Sequence, residues 1–508
     1  MSRKLMIQGT MSGAGKSLLT AGILRVLVRG GAHAAPFKSQ NMALNSYVTA
    51  DGLEMGRAQV MQAEAAGIKP EADMNPILLK PNSDTGSQVI VNGRVYGDMS
   101  ASAYFARKKK LVPVILEAWG RLEQKYDTIV IEGAGSPAEI NLKADDIVNM
   151  GLAKMLDAPV VLAADIDRGG VFAQIYGTVM LLPEEERRRI KGIIINKFRG
   201  DVSLLMPGIR QIEELCSIPV IGVMPYLHLD IDDEDSLSER LHTRHGEGAL
   251  KIAVVRLPHL SNYTDFAPLE AEEQVELFYT QRPEEISGAD VIILPGSKNT
   301  PLDLAWLMER GLDACLQKSA SQGTWICGIC GGYQMLGETM LTEDGDEMRG
   351  LCLLPVRTTF RKDKVTRQVQ GSILASDGLF AGIEGCGITG YEIHMGQTTV
   401  PEGASPFARL RMTDGAQSED AQAQDLQMED GCVQGTVFGT YVHGLFDADA
   451  FRERFLRSLC RDKGIPYDRA SHPDLLAYRT AQYDALADAV EQHIDMKKIR
   501  EIMGDGEI

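Results

Sequence analysis

Five short and almost wholly apolar runs recur through the first half of the sequence, each followed by a stretch with the periodicity of a helix. The runs are KLMIQGT, DTIVIEGAG, PVVLAADI, KGIIINK and PVIGVMPY. Strands that are apolar on both faces and separated by helices are typical of a parallel sheet that is covered on both sides. This alternation predicts an α/β fold with a doubly wound, mostly parallel sheet.

The pattern restarts after residues 228–250, where the sequence is rich in charge and loses its periodicity, as linkers do. New strand-like runs follow in LKIAVVRLPHL, ADVIILPGSKNT and TWICGICGGYQML. A chain of 508 residues also exceeds what one hydrophobic core organises. We therefore expect two doubly wound α/β domains, at residues 1–235 and 250–450, joined by a linker at 236–249 and followed by a C-terminal helical extension at 451–508.

A glycine-rich stretch, GTMSGAGKSLL at residues 9–19, directly follows the first apolar run. Gly15, Lys16 and Ser17 fit the phosphate-loop pattern GxxxxGK(S/T), although the leading glycine lies one position early. Such a turn points backbone N–H groups and the positive end of a helix at phosphate oxygens. The sequence therefore predicts that Gly13, Gly15 and Lys16 bind ATP and that the Ser17 hydroxyl reaches Mg²⁺.

Two carboxylates are candidates to complete a magnesium site. Glu132 follows the run TIVI, at the strand end where parallel sheets bind their ligands, and Asp51 lies in VTADGLEMG. The alternative for Asp51, a helix cap or a turn residue, has equal weight. We expect Ser17 and Glu132, with Asp51 as a further candidate, to hold the metal.

Basic side chains lie near several predicted strand ends. Taken singly, each is typical of a solvated surface charge, whereas together they predict an anion-binding mouth on an acidic protein. The residues are Lys38, Lys80, Arg168, Lys197 and Arg199.

The stretch GICGGYQMLG places Cys330 between an apolar strand and a helical run, with glycines beside it. This spacing is typical of a nucleophile elbow, in which a tight turn presents the thiol and the start of a helix activates it. Cys327 and Cys330 also form a CxxC pair, so a redox dithiol is the alternative. The two glycines after Cys330 favour the nucleophile, because they allow a close backbone approach to an oxyanion.

A thiol nucleophile requires a base, and His443 in GTYVHGLF ends an apolar run more than a hundred residues downstream. We predict that Cys330 and His443 are catalytic. Backbone N–H groups of Gly331 and of either Gly296 or Ser297, in the PGSKNT loop, would form the oxyanion hole.

Composition excludes several classes of protein. A formal net charge of −18 argues against binding to nucleic acid or to anionic membranes, and no apolar run is long enough to span a bilayer. Polar residues and glycines interrupt the N-terminal segment before the core of a signal peptide could form. The eight cysteines are scattered, without zinc spacing or a disulfide framework. We expect a cytoplasmic enzyme with small-molecule substrates and no membrane insertion. The sequence also allows the chain to form a homo-oligomer.

Taken together, the motifs resemble the cobyric acid synthase family, in which a domain similar to dethiobiotin synthetase is fused to a class I type glutamine amidotransferase. The resemblance extends over nearly the whole chain. It is carried by GTMSGAGKS, FKSQNMALNS, NPILLKPNSDTGSQV, EGAGSPAEINL, DIDRGGVF, NKFRGD, LPGSKNT, GICGGYQMLG, GYEIHMG and GTYVHGLF.

The resemblance implies that glutamine is hydrolysed through a cysteinyl thioester and that the ammonia passes to the ATP-dependent domain. There, ATP would activate the b, d, e and g carboxylates of adenosylcobyrinic acid a,c-diamide, in the biosynthesis of vitamin B12. It also implies that Asn196 contacts ATP and that five residues bind the corrin, namely Lys38, Asn41, Lys80, Asp146 and Arg168.

One position departs from the wider class I pattern. The histidine there is usually followed by glutamate as HxE, whereas His443 is followed by Gly444 and Leu445. The sequence pattern therefore leaves the residue that orients His443 unassigned.

Two other functions stay open from the sequence. One is a cobyrinic acid a,c-diamide synthase of the same two-domain plan. The other is a partition-type ATPase, although that class has a second lysine in its phosphate loop, where this chain has Met11.

Overall fold

The computed structural model of the protein describes residues 2–82, 86–231, 239–342, 344–413 and 427–504. Within them the chain forms two α/β units, each with its own sheet and hydrophobic core. The expectation of two doubly wound, mostly parallel sheets is confirmed. The predicted linker at 236–249 lies partly outside the described residues.

The first unit contains twelve strands and eight helices within its described residues. Its strands are β1 (Arg3–Gly9), β2 (Ala34–Phe37), β3 (Gln40–Met42), β4 (Ser46–Val48), β5 (Glu54–Gly56), β6 (Ile77–Pro81), β7 (Gly86–Val91), β8 (Arg94–Ser100), β9 (Thr128–Glu132), β10 (Val160–Asp165), β11 (Ile190–Phe198) and β12 (Val220–Pro225). Its helices are α1 (Lys16–Arg29), α2 (Arg57–Ala65), α3 (Ala101–Arg107), α4 (Val112–Lys125), α5 (Met150–Met155), α6 (Val171–Leu181), α7 (Glu184–Arg187) and α8 (Val202–Cys216).

The main sheet of this unit has the strand order β12-β11-β10-β1-β9-β2, and all its neighbours are parallel. Its central strands are buried along nearly their whole length, which explains why their sequences are continuously apolar. Two smaller sheets, β3-β6-β7-β8 and the hairpin β4-β5, lie outside it. The carboxyl ends of β1 and β9 therefore meet at one edge, where the phosphate loop begins.

The second unit begins with the described part of the linker, because its first strand joins the second main sheet. Its strands are β13 (Arg244–His245), β14 (Leu250–Val255), β15 (Leu260–Ser261), β16 (Val275–Thr280), β17 (Val291–Leu294), β18 (Gly296–Ser297), β19 (Trp325–Ile329), β20 (Thr339–Leu341), β21 (Glu347–Arg349), β22 (Arg357–Ile373), β23 (Gly387–Thr399), β24 (Ala408–Met412), β25 (Met428–Asp430), β26 (Cys432–Gln434) and β27 (Val437–Thr440). The helices from here to the C-terminus are α9 (Ala267–Glu270), α10 (Pro283–Ser287), α11 (Thr300–Glu309), α12 (Leu312–Ser321), α13 (Gly331–Leu336), α14 (Asp449–Lys463), α15 (Leu475–His493) and α16 (Met496–Ile502).

The second main sheet has the order β13-β16-β14-β17-β19-β27-β26 and is parallel except at its two edges. A further sheet is built around the long antiparallel pair β22 and β23. That pair reaches the first unit, where the Tyr391 hydroxyl donates to the Ser46 carbonyl at 3.1 Å and Lys364 pairs with Glu54 at 2.5 Å. The two units are thus joined through buried polar contacts.

The helices of residues 451–508 divide between the two units. In α14, Phe451 and Phe455 belong to the core of the second unit. In contrast, α15 packs against α1 of the first unit, where Leu486 and Val490 lie against the bare face of Gly22. The end of the described chain therefore completes the unit with which the chain begins.

The state of the cysteines weighs against the redox alternative. All eight carry free thiols, and Cys327 is fully buried in β19. That burial, together with nearby Asp265, raises the pKa of the Cys327 thiol far above its ordinary value, which disfavours a redox dithiol with Cys330. As for membrane crossing, no helix in the described part of the chain has the length and apolarity that a bilayer span needs.

Candidate active site

The phosphate loop joins β1 to α1 and has the backbone that its glycines allow. Gly15 precedes α1 with φ at 85°, and a Cβ there would lie 2.1 Å from the amide nitrogen of Asn196. That Asn196 nitrogen donates to the Ala14 carbonyl at 3.0 Å, so Asn196 packs directly on the loop. The Lys16 ammonium lies across the loop, at 3.2 Å from the Met11 carbonyl.

Glu132 ends β9 beside this loop and is almost fully buried. Its carboxylate accepts hydrogen bonds from the Ser17 hydroxyl at 2.9 Å, from the Lys38 ammonium at 2.9 Å and from the Gln62 amide at 2.5 Å. The structure thus brings together Ser17, Glu132 and Lys38. Oxygen atoms of this kind suit Mg²⁺, which keeps several water ligands. The described residues contain no group of three or more histidine, cysteine or acidic side chains that could hold a metal ion by themselves.

The remaining candidates on this side have different positions. The Asp51 carboxylate accepts from the Thr49 hydroxyl at 2.5 Å in an exposed turn between β4 and β5. The Asp146 carboxylate accepts three backbone N–H groups of residues 148–151 and so fixes the start of α5. The carboxylates of Asp51 and Asp146 thus have other partners and do not join Ser17 and Glu132 in one cluster.

The basic candidates do not form one mouth. The Lys197 ammonium lies at the loop, donating to the Gly13 carbonyl at 2.7 Å. Arg168 is exposed in the turn before α6, and Arg199 pairs with Asp167 at 2.8 Å on the same side. Lys80 is buried elsewhere, in the contact between the two units.

A cavity of about 460 Å³ opens beside the phosphate loop, and we call it the phosphate-side cavity. Lys16, Lys38 and Asn41 line its inner part, together with Asp146. Its rim carries the exposed apolar side chains Met42, Phe105 and Leu142. The Lys108 ammonium also lines it, 4.2 Å from the centre of the Phe105 ring.

Cys330 lies in the tight turn between β19 and α13. Its φ of 51° is in the left-handed region, which is a strained conformation for a residue with a Cβ. The turn is held because the Cys330 backbone N–H donates to the Thr440 carbonyl at 2.8 Å and because Gly332 leaves no room for a Cβ against Leu294. This is the geometry that the nucleophile-elbow prediction requires.

His443 lies beside Cys330 and is oriented by a carboxylate. The Nδ1–H of His443 donates to the Oδ2 atom of Asp265 at 2.6 Å, and the Gly444 backbone N–H donates to Oδ1 at 3.1 Å. All three catalytic candidates, Cys330, His443 and Asp265, are buried. The Tyr391 ring stacks on the His443 ring at 5.3 Å and fixes its plane.

The charge state of His443 follows from these neighbours. Burial alone lowers the pKa of an imidazole, yet the Asp265 carboxylate and the hydrogen bond with Cys330 raise the pKa of His443 to about 10. His443 therefore holds a proton at neutral pH. A cationic ring next to the thiol stabilises a thiolate and can give its proton to a leaving amine.

Two backbone segments approach each other at the expected oxyanion hole. Gly331 lies so close to the Ser297 backbone that a Cβ on Gly331 would be 2.8 Å from the Ser297 nitrogen. Directly beyond the antiparallel β15-β18 pair, the Lys298 N–H donates to the His259 carbonyl at 3.0 Å. Hydrogen-bonded and non-hydrogen-bonded residue pairs alternate along an antiparallel ladder. Since Lys298 is hydrogen-bonded to His259, the next pair, Ser297 with Leu260, is non-hydrogen-bonded, and the pair after it, Gly296 with Ser261, is hydrogen-bonded. The register therefore favours Ser297 over Gly296 as the second donor.

Cys330 and His443 line a second cavity, of about 310 Å³, which we call the thiol cavity. The small sheet of β6, β7 and β8 separates it from the phosphate-side cavity. Successive residues of each strand point to opposite cavities because side chains alternate along a strand. Leu79, Ser87 and Met99 line the phosphate-side cavity, and their neighbours Lys80, Gln88 and Asp98 line the thiol cavity.

Sequence reasoning missed Asp265 and Gln62. Asp265 lies in NYTDF, ahead of the nucleophile in the chain, and neither spacing nor composition links it to His443. Gln62 belongs to the buried face of α2 and resembles an ordinary helix residue until its amide is found at Glu132.

Comparisons with known proteins cover both units. A family model described as the CobQ/CobB/MinD/ParA nucleotide binding domain matches residues 5–236, and one described as the CobB/CobQ-like glutamine amidotransferase domain matches residues 251–451. Three relatives, each named cobyric acid synthase, align over almost their full length. The one from Ruminiclostridium cellulolyticum is 51% identical (100% of this chain, 98% of the relative), that from Lachnoclostridium phytofermentans 51% (100% and 100%), and that from Citrobacter koseri 50% (99% and 99%).

Proposed function

The chain belongs to the cobyric acid synthase family, and on that premise we propose how its two units divide the reaction. It is a glutamine-dependent amidating ligase with a nucleotide-binding unit and a glutamine amidotransferase unit. We infer that Cys330 releases ammonia from glutamine and that the first unit fastens it onto an activated carboxylate. The observation that carries this inference is the pair of cavities on opposite faces of one small sheet.

In the thiol cavity, the Cys330 thiolate would attack the carboxamide carbon of glutamine. The carbonyl oxygen becomes an oxyanion that accepts from the Gly331 and Ser297 N–H groups. The C–N bond then breaks, and the protonated His443 gives its proton to the leaving nitrogen. Water next hydrolyses the thioester to glutamate and restores the thiol. Asp265 keeps the His443 ring in one tautomer and one orientation through both steps.

In the phosphate-side cavity, a carboxylate of the acceptor would attack the γ-phosphorus of ATP. The products are an acyl phosphate and ADP, which turns a poor acyl donor into one with a good leaving group. Ammonia then attacks the acyl carbon, and inorganic phosphate leaves as the amide forms. We assign Gly13, Gly15, Lys16 and Asn196 to ATP, since the loop backbone and the Lys16 cation suit its phosphates.

We assign the magnesium site to Ser17 and Glu132. Their oxygen atoms lie 2.9 Å apart beside the phosphate loop, and both are hard donors that suit this ion. When bound, Mg²⁺ would neutralise charge on the phosphates. Asp51 is left out of the proposed site, because its carboxylate belongs to the turn between β4 and β5.

The acceptor that the family resemblance implies is adenosylcobyrinic acid a,c-diamide, amidated at its b, d, e and g carboxylates. The phosphate-side cavity supports an acceptor of this chemistry, since a broad apolar ring with peripheral carboxylates needs an apolar rim and nearby cations. Met42, Phe105 and Leu142 supply the rim, and Lys108 supplies positive charge, while Lys38 lines the same cavity with its ammonium paired to Glu132. The free thiols and the use of ATP support a cytoplasmic location.

Mass spectrometry tests this function directly. Purified protein is incubated with ATP, Mg²⁺, glutamine and the a,c-diamide, and four successive conversions of carboxylate to carboxamide are expected. No amidation of this compound, together with amidation of cobyrinic acid itself, would favour the a,c-diamide synthase instead. Dimerisation that depends on nucleotide, with no glutamine consumed, would favour a partition-type ATPase.

A further inference from the structure

Lys298 occupies a special position in the thiol cavity. It follows Ser297 directly, in the loop that approaches Gly331, and its backbone is fixed by the hydrogen bond to the His259 carbonyl. Its side chain lines the same cavity as Cys330. The backbone of Lys298 therefore lies next to the expected oxyanion hole, while its side chain lines the thiol cavity.

The positive charge in this cavity is only partly balanced. Glu54 pairs with Lys80 at 3.0 Å and with Lys364 at 2.5 Å. The Lys298 ammonium, in contrast, donates to the neutral Gln88 Oε1 atom at 3.0 Å. Among the residues that the structure describes, no carboxylate oxygen lies within 4 Å of it. Lys298 is partly buried, and an ammonium that loses water contacts without gaining a counter-ion is stabilised when an anion binds beside it.

The effect is visible in the acidity of Lys298. Burial, together with the neighbouring charges of Lys364 and Lys80, lowers the pKa of Lys298 to about 7, although Glu54 and Asp98 act in the opposite direction. The local surplus of positive charge is therefore felt at this amine. A carboxylate bound there would relieve it.

We propose that Lys298 binds the α-carboxylate of glutamine. The inference rests on the proposed function, because it takes glutamine to be the compound attacked by Cys330. If the carboxamide oxygen lies at the N–H groups of Gly331 and Ser297, three carbon atoms separate the carboxamide from the α-carboxylate. A lysine side chain that starts one residue beyond Ser297 spans a similar length. Lys298 then selects glutamine by its charged end, while Cys330 reacts at the other end.

The first unit would complete this subsite. Gln88, on β7, accepts from Lys298 at 3.0 Å and from Lys364 at 3.1 Å through the same oxygen. Both lysines belong to the second unit, so a residue of the nucleotide-binding unit positions the Lys298 amine that is proposed to bind glutamine. The amidotransferase unit on its own would therefore bind glutamine poorly.

The test compares two compounds in the full-length protein. Ammonia release is measured from L-glutamine and from L-glutamine α-amide, in which a neutral carboxamide replaces the α-carboxylate. For Lys298→Met, we expect KM for glutamine to rise roughly ten- to a hundredfold, with kcat changed less than about threefold, because a charge-assisted hydrogen bond is lost. KM for the α-amide should stay nearly constant, so that the preference of the wild type for glutamine collapses.

Matched variants separate binding from folding. Lys298→Arg keeps the charge and should retain most of the preference, and Lys318→Met removes an exposed lysine of α12 and should change nothing. The ratio between the two compounds is measured within each variant, so a partly unfolded preparation does not distort it. Equal losses on both compounds in Lys298→Met, or a loss in kcat alone, would overturn the assignment. If the wild type released ammonia from neither compound, the proposed function itself would fail.

Discussion

The Oδ2 atom of Asp265 lies 2.6 Å from Nδ1 of His443, although 178 positions separate the two residues in the chain. Asp265 precedes the nucleophile Cys330, whereas the wider class I pattern takes its third member from just after the histidine. We propose that Asp265 fills the same role from the short 3-10 turn of residues 263–266, which follows β15. His443 therefore has a carboxylate partner even though the glutamate of the HxE pattern is missing.

Replacing Asp265 by asparagine should disable the glutamine reaction. The amide keeps the shape of the side chain but no longer stabilises the charged imidazole, so we expect ammonia release from glutamine to fall roughly 10²- to 10⁴-fold. Synthesis driven by added ammonia should continue. Glutamate formation and acceptor amidation are measured side by side. Near-normal glutaminase activity in a folded Asp265→Asn protein would remove Asp265 from the mechanism.

The pH dependence of the glutamine reaction should follow His443. Asp265 and Cys330 outweigh burial and raise the pKa of His443 to about 10, so the ring keeps its proton through neutral pH and loses it as pH rises toward 10. We expect glutamine-driven turnover to decline over that alkaline range, because the donor for the leaving nitrogen is lost. In Asp265→Asn the decline should begin at lower pH. An identical alkaline limb in both proteins would contradict this assignment.

Cys330→Ala should separate the two half-reactions. We expect no turnover with glutamine, because the thiol forms the covalent intermediate, and near-normal synthesis when ammonium salt is supplied at high concentration. The measurement is amide formation with each nitrogen source. Loss of both activities in a protein that melts like the wild type would argue against this division of labour.

Lys16→Ala should abolish synthesis with either nitrogen source. The ammonium lies in the phosphate loop and balances the charge that develops during phosphoryl transfer. The readouts are ADP formation and amide formation. Lys191→Ala, which removes an exposed lysine of β11, serves as the control and should be silent. Amide formation from added ammonia by Lys16→Ala would contradict the phosphate role.

Gly22→Leu should weaken the first unit through its contact with α15. A Cβ on Gly22 would lie 2.7 Å from a Val490 methyl group and 3.1 Å from Leu486, so a larger side chain overpacks the interface. We expect a loss of about 1–3 kcal/mol, detected as a lower melting temperature and faster proteolysis near α15. Gly120→Leu in α4 is the matched control, because a Cβ at that position would have no heavy atom within 4 Å among the described residues.

Local patterns predicted the fold and part of the site. Strands that are apolar on both faces predicted both main sheets. Motifs at strand ends predicted Ser17, Glu132 and Cys330 as site residues, and in the structure Ser17 and Glu132 lie together beside the phosphate loop and Cys330 lines the thiol cavity. Such predictions succeed because one short segment of sequence contains both the strand or helix and the side chain that it positions. His443 needed the nucleophile as a partner before it could be singled out.

The rest depended on contacts between distant segments. The sequence predicted Lys80 as part of an anion-binding mouth and as a corrin-binding residue, but because side chains alternate along β6, Lys80 lines the thiol cavity while Leu79 lines the phosphate-side cavity. Spacing alone could not decide whether Asp51 was a metal ligand or a turn residue. Asp265 meets His443 only once the second sheet is assembled, so no local pattern contains their pairing.

The return of α15 and α16 to the first unit has a consequence during synthesis. The ribosome makes α1 first, with Gly22 and its apolar neighbours, yet their cover, Leu486 and Val490, emerges more than 450 residues later. Until then, that face must stay open to water or to a chaperone while the amidotransferase unit folds. A chain that ends before α15 would therefore leave this apolar face of α1 exposed to solvent.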